Sequence, residues 1–197
     1  MMTLWFKQRF HILIGLASIL IIAQLLDALT GGSLIYLGII PRDVRGLIGI
    51  PFSPFLHGSW AHLFSNLPAL LVLSALLMTH SIRYYVLASL FIIFTEGTLV
   101  WLFGRTAIHV GASGWVFGLW GLLLANAYFL RRAKDLFFAI LVIIYYGGIA
   151  FGLLPQQEYI STEGHIFGAI SGVAFSWFSK KWLITSHSLK NQNTNIP

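Results

Sequence analysis

Apolar residues fall into six long runs separated by short polar or Gly/Pro-rich stretches. A bilayer core of about 30 Å is crossed by roughly 20 apolar residues in a helix, and the runs near residues 10–29, 60–79, 84–103, 113–130, 136–154 and 164–184 approach that length. They predict six membrane-spanning helices. The first run follows Lys7 and Arg9, as in a signal peptide, but it outlasts the roughly 7–15 residues of a signal's apolar region and is read as a span. The predicted membrane domain covers residues 1–185, and the polar, Asn-rich stretch 186–197 is expected to be a disordered tail.

Composition agrees with this pattern. Hydrophobic residues make up 57% of the chain and charged residues 9%, against about 25% charged in soluble domains. The expectation is an all-α integral membrane protein. Without cysteine there is no disulfide, thiolate nucleophile or Cys-bound metal. The net charge of +6 comes with no basic groove that would hold phosphates, so no nucleic-acid partner is expected. Its distribution sets orientation instead. Lys7, Arg9, Arg83, Arg131, Arg132, Lys134, Lys180, Lys181 and Lys190 flank one side of the six runs, and Arg42, Arg45 and Arg105 the other. Cytoplasmic loops carry the excess of Lys and Arg, which predicts an even number of spans with both termini in the cytoplasm. The short termini point to a bacterial inner membrane.

The connection over residues 30–59, on the outer side, is rich in Gly, Pro and aromatic residues and shows no obvious helix signal. A loop of this length is usually functional or mobile. Its Phe52, Phe55 and Leu56, with Trp60, suit partial burial at the membrane interface.

Polar residues gather at one depth. The second, fourth and sixth spans all begin on the outer side, and their first turns carry His62 and Asn66, Ser113, and His165 respectively. His62 and Asn66 are four apart and share a helix face. Polar side chains within spans face the protein interior or a water-filled cavity and are functional candidates. Gly114, Gly118, Gly121 and Ala125 form a small-residue stripe beside Ser113, and Gly168 and Gly172 follow His165 on its own face. Such stripes let helix backbones approach closely in lipid, and packing the fourth span on the sixth would bring Ser113 toward His165. A serine hydroxyl needs a base to become a nucleophile, and an imidazole can take its proton and return it to a leaving amine. The tetrahedral oxyanion needs donors. The Ser113 N–H at a helix N-terminus and the side chains of His62 and Asn66 are the candidates. An acid to orient the histidine is not evident: Glu96 lies deep in the third span and Glu163 stands two residues before His165. The residues therefore favour a Ser–His dyad, with Glu96 in a structural role.

Taken together, these motifs resemble the rhomboid family of intramembrane serine proteases. The matching residues are His62-Leu63-Phe64-Ser65-Asn66, Gly111-Ala112-Ser113-Gly114, and Gly164-His165-Ile166-Phe167-Gly168 with Gly172. The run Pro54-Phe55-Leu56-His57-Gly58-Ser59-Trp60-Ala61-His62 is similar to the family's approach to its second helix. The resemblance implies a six-helix rhomboid-like bundle and cleavage of a peptide bond in or beside a substrate's transmembrane segment. It implies no cofactor and no metal. It makes Ser113 the nucleophile, His165 the general base and acid, and His62 and Asn66 the oxyanion donors. Phe117 would pack against His165, and the loop Pro155–Glu163 would cap the site. Two features depart from the family pattern: His165 follows Gly164 rather than alanine, and the first outer loop lacks a Trp-Arg pair, with Arg42 and Arg45 set in Pro-Arg-Asp-Val-Arg.

Other functions compete. His57, His62, His109 and His165 with Glu96 would suit a proton or metal-ion transporter, and an inactive relative would bind membrane segments without cutting them. No His-Glu-X-X-His occurs to support a metalloprotease. His57 and His109 are expected as loop residues at the interface, with His57 also able to position oxyanion donors. The partners expected are transmembrane protein substrates and lipid.

Overall fold

The computed structural model describes residues 2–155 and 160–193. Seven α-helices follow one another: α1 (Met2–Leu29), the single turn α2 (Gly49–Phe52), α3 (Trp60–Met78), α4 (Ile82–Phe103), α5 (Ser113–Leu130), α6 (Ala133–Tyr146) and α7 (Thr162–Asn193). Among the described residues five segments are long and apolar enough to cross a membrane: α1, α3, α4, α5, and α6 with the 3-10 turns that extend it to Leu153. The sixth predicted span coincides with α7, whose apolar content is diluted by Gly164, Gly168 and Gly172, by Ser171, Ser176 and Ser179, and by Lys180. Those small residues are the ones it packs with.

Short side chains mark where helices start. Ser59 Oγ accepts the His62 N–H at 3.1 Å and Ser81 Oγ the Tyr84 N–H at 2.9 Å, each satisfying a donor that a helix start leaves unpaired. Gly147 and Gly148 end α6 by relaxing the chain into 3-10 turns over Gly147–Leu153. At the other extreme α7 runs to Asn193, through most of the stretch expected to be a disordered tail. No Gly or Pro between Val173 and Asn193 interrupts it. Residues 194–197 lie outside the described residues.

The connection over residues 30–59 is not a bare loop. It folds into 3-10 turns at Ser33–Leu37, Val44–Ile48 and Ser53–Phe55 around α2. Its Ile39 pairs with His109 through two backbone hydrogen bonds of 2.9 and 3.0 Å. Arg42 donates from its backbone to Trp101 O at 2.9 Å and from Nη1 to Gly104 O at 2.7 Å, while Trp101 Nε1 donates to Asp43 O at 2.9 Å. A tryptophan at the end of α4 thus ties down the arginine of a loop that has no Trp-Arg pair of its own. Arg45 is held by Asp43 at 2.6 Å. Of the apolar residues expected at the membrane interface, Phe52 is exposed on the bundle surface, whereas Leu56 is buried.

The core lies around α5, where Leu119, Leu122 and Leu123 meet Leu63, Leu70 and Leu73 of α3 and Ile92 of α4. Burial alone cannot hold helices together in lipid, so contact distance matters. A side-chain carbon at Gly168 would collide with Gly114 O, one at Gly172 with Gly118 O, and one at Gly121 would come within 2.8 Å of Ala169 O. Helices α5 and α7 therefore meet backbone to backbone.

Candidate active site

The approach to Ser113 is fixed residue by residue. Gly111 has φ +122°, a region that favours glycine, and a methyl there would lie 2.6 Å from Cε1 and 2.8 Å from Nε2 of His62. The Gly111 N–H donates to Ser53 O at 2.9 Å, and the Ala112 N–H to His57 Nε2 at 3.2 Å. Ser113 then opens α5, whose first internal bond runs from Val116 N–H to Ala112 O. The amides of Ser113 and Gly114 precede that bond and stand at the positive end of the helix dipole, where an anion is favoured.

His165 sits in the first turn of α7. Ser161 Oγ caps that turn by accepting the Gly164 N–H at 3.1 Å. The imidazole Nδ1–H donates to Gly152 O at 2.9 Å. A carbonyl can only accept, so the neutral ring keeps its proton on Nδ1 and its lone pair on Nε2. The Phe117 ring stacks on the imidazole with centroids 4.2 Å apart and planes 11° from parallel. Gly152 allows this closeness: a methyl there would lie 2.6 Å from Phe117 Cζ and 3.2 Å from His165 Nδ1.

Ser113, His165, His62, Asn66 and Phe117 all line one cavity of about 660 Å³, shared with Ser59, Ser65, Arg105, His109 and Ser161. Asn66 is buried and donates one amide hydrogen to His62 O at 3.0 Å, leaving the second for the cavity. The glycines named with these residues are placed around them: Gly111 under the His62 ring, Gly114 after the serine, and Gly168 and Gly172 in the α5–α7 contact.

The loop histidines correct an expectation. His57 and His109 are both buried rather than set at the interface. His57 is 1% exposed, and its ring lies edge-on to His62 at 5.0 Å. Desolvation, reinforced by the neighbouring His62, lowers its pKa to about 4. It is therefore a neutral acceptor for the Ala112 N–H. His109 donates from Nε2 to Arg105 O at 3.0 Å, which leaves Nδ1 to accept from Ser161 Oγ at 2.8 Å. Burial lowers its pKa as well. Arg105 in turn donates to Ile160 O at 2.5 Å and lies 3.8 Å from Glu163. Of the expected capping loop Pro155–Glu163, residues 156–159 lie outside the described residues.

Gly152 was not visible in the sequence as a contributor, and His57 and Glu96 were visible only as general candidates. Gly152 acts through its carbonyl and has no side chain to give it away; the only hint is the glycine-rich run that breaks α6. His57 acts on a backbone amide 55 residues away. Glu96 does not take the orienting bond of His165, because Gly152 O occupies Nδ1.

Known proteins resemble this chain over most of its length. The uncharacterized protein Rv1337 of Mycobacterium tuberculosis (strain ATCC 25618 / H37Rv) is 35% identical over 169 residues, covering 81% of this chain and 70% of that one. The uncharacterized protein ML1171 of Mycobacterium leprae (strain TN) is 32% identical over 189 residues, covering 91% and 75% respectively. Residues 44–182, from the connection over residues 30–59 through α7, match the Rhomboid domain, and with helices this apolar the chain belongs to the rhomboid family of integral membrane proteins.

Proposed function

We propose that this protein is an intramembrane serine endopeptidase that cleaves in or beside transmembrane segments of other proteins, using Ser113 and His165 as a dyad and no cofactor. The observation that carries this reading is the state of His165. Its Nδ1–H is committed to Gly152 O and its ring is stacked on Phe117, so the basic Nε2 is left to the cavity that Ser113 lines. A backbone carbonyl does here what an acid does in a triad: it selects the tautomer and fixes the ring.

The steps follow from that arrangement. Ser113 Oγ attacks the scissile carbonyl carbon as its proton passes to His165 Nε2. The oxyanion is received by the Ser113 N–H, the free Asn66 N–H and His62, donors already held in place by the bundle. The imidazolium then protonates the leaving amine, the C–N bond breaks, and an acyl group stays on Ser113. Water, deprotonated by the same nitrogen, releases it and restores the serine.

The same reading places six spans in the membrane with α7 as the sixth, both termini in the cytoplasm, a membrane domain over residues 1–185, and the cavity opening outward. The membrane is a bacterial inner membrane, in keeping with the mycobacterial relatives. A proton or metal-ion pathway is less well supported: among the described residues no three His, Asp or Glu side chains are grouped to hold a metal, and of the cavity histidines His165 bonds to a backbone carbonyl and His109 to a carbonyl and a serine.

The test is active-site labelling. A fluorophosphonate should label the detergent-solubilised protein at Ser113, and Ser113→Ala should abolish both labelling and cleavage of a transmembrane substrate. Labelling that persists in Ser113→Ala, or cleavage that a chelator stops, would defeat the assignment.

A further inference from the structure

Glu96 is a carboxylic acid in the middle of a membrane-spanning helix and only 8% exposed. Burial of such a group is costly and needs a reason. Its surroundings supply one. A methyl added to Gly114 would lie 2.5 Å from Glu96 Oε1, and one added to Gly164 would lie 3.1 Å from the same atom. Gly114 is the residue after Ser113, and Gly164 is the residue before His165. The carboxyl group of α4 thus occupies the space of two absent side chains, one in the first turn of each helix that carries a dyad residue. Among the described residues it forms no salt bridge.

We infer that Glu96 is a positioning residue: its carboxyl is a wedge between the first turns of α5 and α7 that sets the separation of Ser113 and His165. This rests on the protease reading of the site. The reach and shape of the side chain matter here, and its charge does not. Below the wedge, Gly168 and Gly172 pull the two helices into backbone contact. Above that contact no side chain of their own keeps the starts apart, since both flanking residues are glycine. A fixed spacer from a third helix meets that need, and small errors in placement of reacting groups are expensive.

The experiment separates length from charge with three variants in the full-length protein. Glu96→Ala should lower kcat about 10- to 100-fold with KM within about twofold. Glu96→Gln, equal in length and uncharged, should restore turnover to within about threefold of wild type, while Glu96→Asp, charged but one methylene shorter, should fall at least about threefold below Glu96→Gln. The opposite ranking, with Glu96→Asp active and Glu96→Gln impaired, would overturn the wedge in favour of a carboxylate acting through its field, as would wild-type kcat in Glu96→Ala. A readout independent of activity uses the absence of native cysteine: spin labels at Ile108→Cys, in the loop that leads into α5, and Ile166→Cys, in the first turns of α7, both exposed positions, report the distance between the entry to α5 and the start of α7. Glu96→Ala should shift or broaden that distance and Glu96→Gln should not; an unchanged distance in Glu96→Ala would sink the inference. Should the wild type neither cleave nor label, the protease reading fails, and the distance measurement still decides whether Glu96 spaces the helices.

Discussion

The bundle carries two polar clusters at opposite ends, built from similar residues and arranged to opposite effect. At one end His165, Ser113, His62 and Asn66 line a cavity of about 660 Å³. At the other, His80 Nε2 lies 3.0 Å from Asp135 Oδ1, and Arg132 Nε lies 2.9 Å from Asp135 Oδ2, with the His80 and Asp135 side chains almost wholly buried. Close by, Asn126 Oδ1 accepts from Tyr84 at 3.1 Å and from Ser176 at 2.7 Å, joining α4, α5 and α7. The second cluster faces inward on itself. A histidine whose partner is a carboxylate in a closed contact has little to offer a substrate, whereas one whose second nitrogen opens on a cavity can exchange protons with it. Residue type does not separate the two clusters; the partner of each ring nitrogen does.

That contrast breaks most sharply on paired substitutions. His165→Ala should lower kcat/KM by at least about 10³-fold, while His80→Ala should keep wild-type turnover per folded molecule. Comparable losses in steady-state assays normalised to folded protein would erase the distinction. Next in size, Asn66→Ala should cost about 10²–10³-fold in kcat with little change in KM, because its free N–H would bond the oxyanion and not the substrate carbonyl. A rise in KM alone would assign Asn66 to substrate binding.

The closed cluster should show itself in stability. Asp135→Asn leaves Arg132 and His80 without their carboxylate; breaking a fully buried pair costs about 3–5 kcal/mol, and with the Arg132 side chain 32% exposed the expected loss is about 1–3 kcal/mol. Reversible denaturation in mixed micelles measures it, and a loss under about 1 kcal/mol would mean the cluster is better hydrated than its burial implies.

The smallest effect concerns His57. Its folded pKa of about 4 lies below the ordinary 6.5, so the unfolded chain binds the extra proton first. Its contribution to stability is complete above pH 6.5 and is lost as pH falls from there toward 4. His57→Gln keeps an acceptor for the Ala112 N–H and removes the titration, so its thermal midpoint should fall less over that window than the wild type's. Parallel curves would show that other groups govern the acid limb.

Much of this was legible because membranes simplify sequences. Helix length follows from bilayer thickness, and polar residues in spans are few enough for Ser113, His165, His62 and Asn66 to stand out. The glycine stripes of α5 and α7 could be read as contact surfaces because only small residues let helix axes approach. What could not be read was contributed by backbone or by distant loops. The carbonyl of Gly152, the amide of Ala112 that His57 receives, and the Trp101–Asp43 bond all depend on tertiary paths that periodicity does not record. The burial of His57 and His109 was missed for the same reason: a loop position in sequence says nothing about what folds over it.

The meeting of α5 and α7 has a last consequence, for how the chain can vary. Where main chain touches main chain there is no rotamer to yield, so Gly168 and Gly172 act as single-letter positions. Gly15 on α1, where an added methyl meets nothing within 4 Å, is free to drift to any residue that suits lipid. A library of variants would therefore show its blank columns one and two turns below His165, in a seam apart from the cavity.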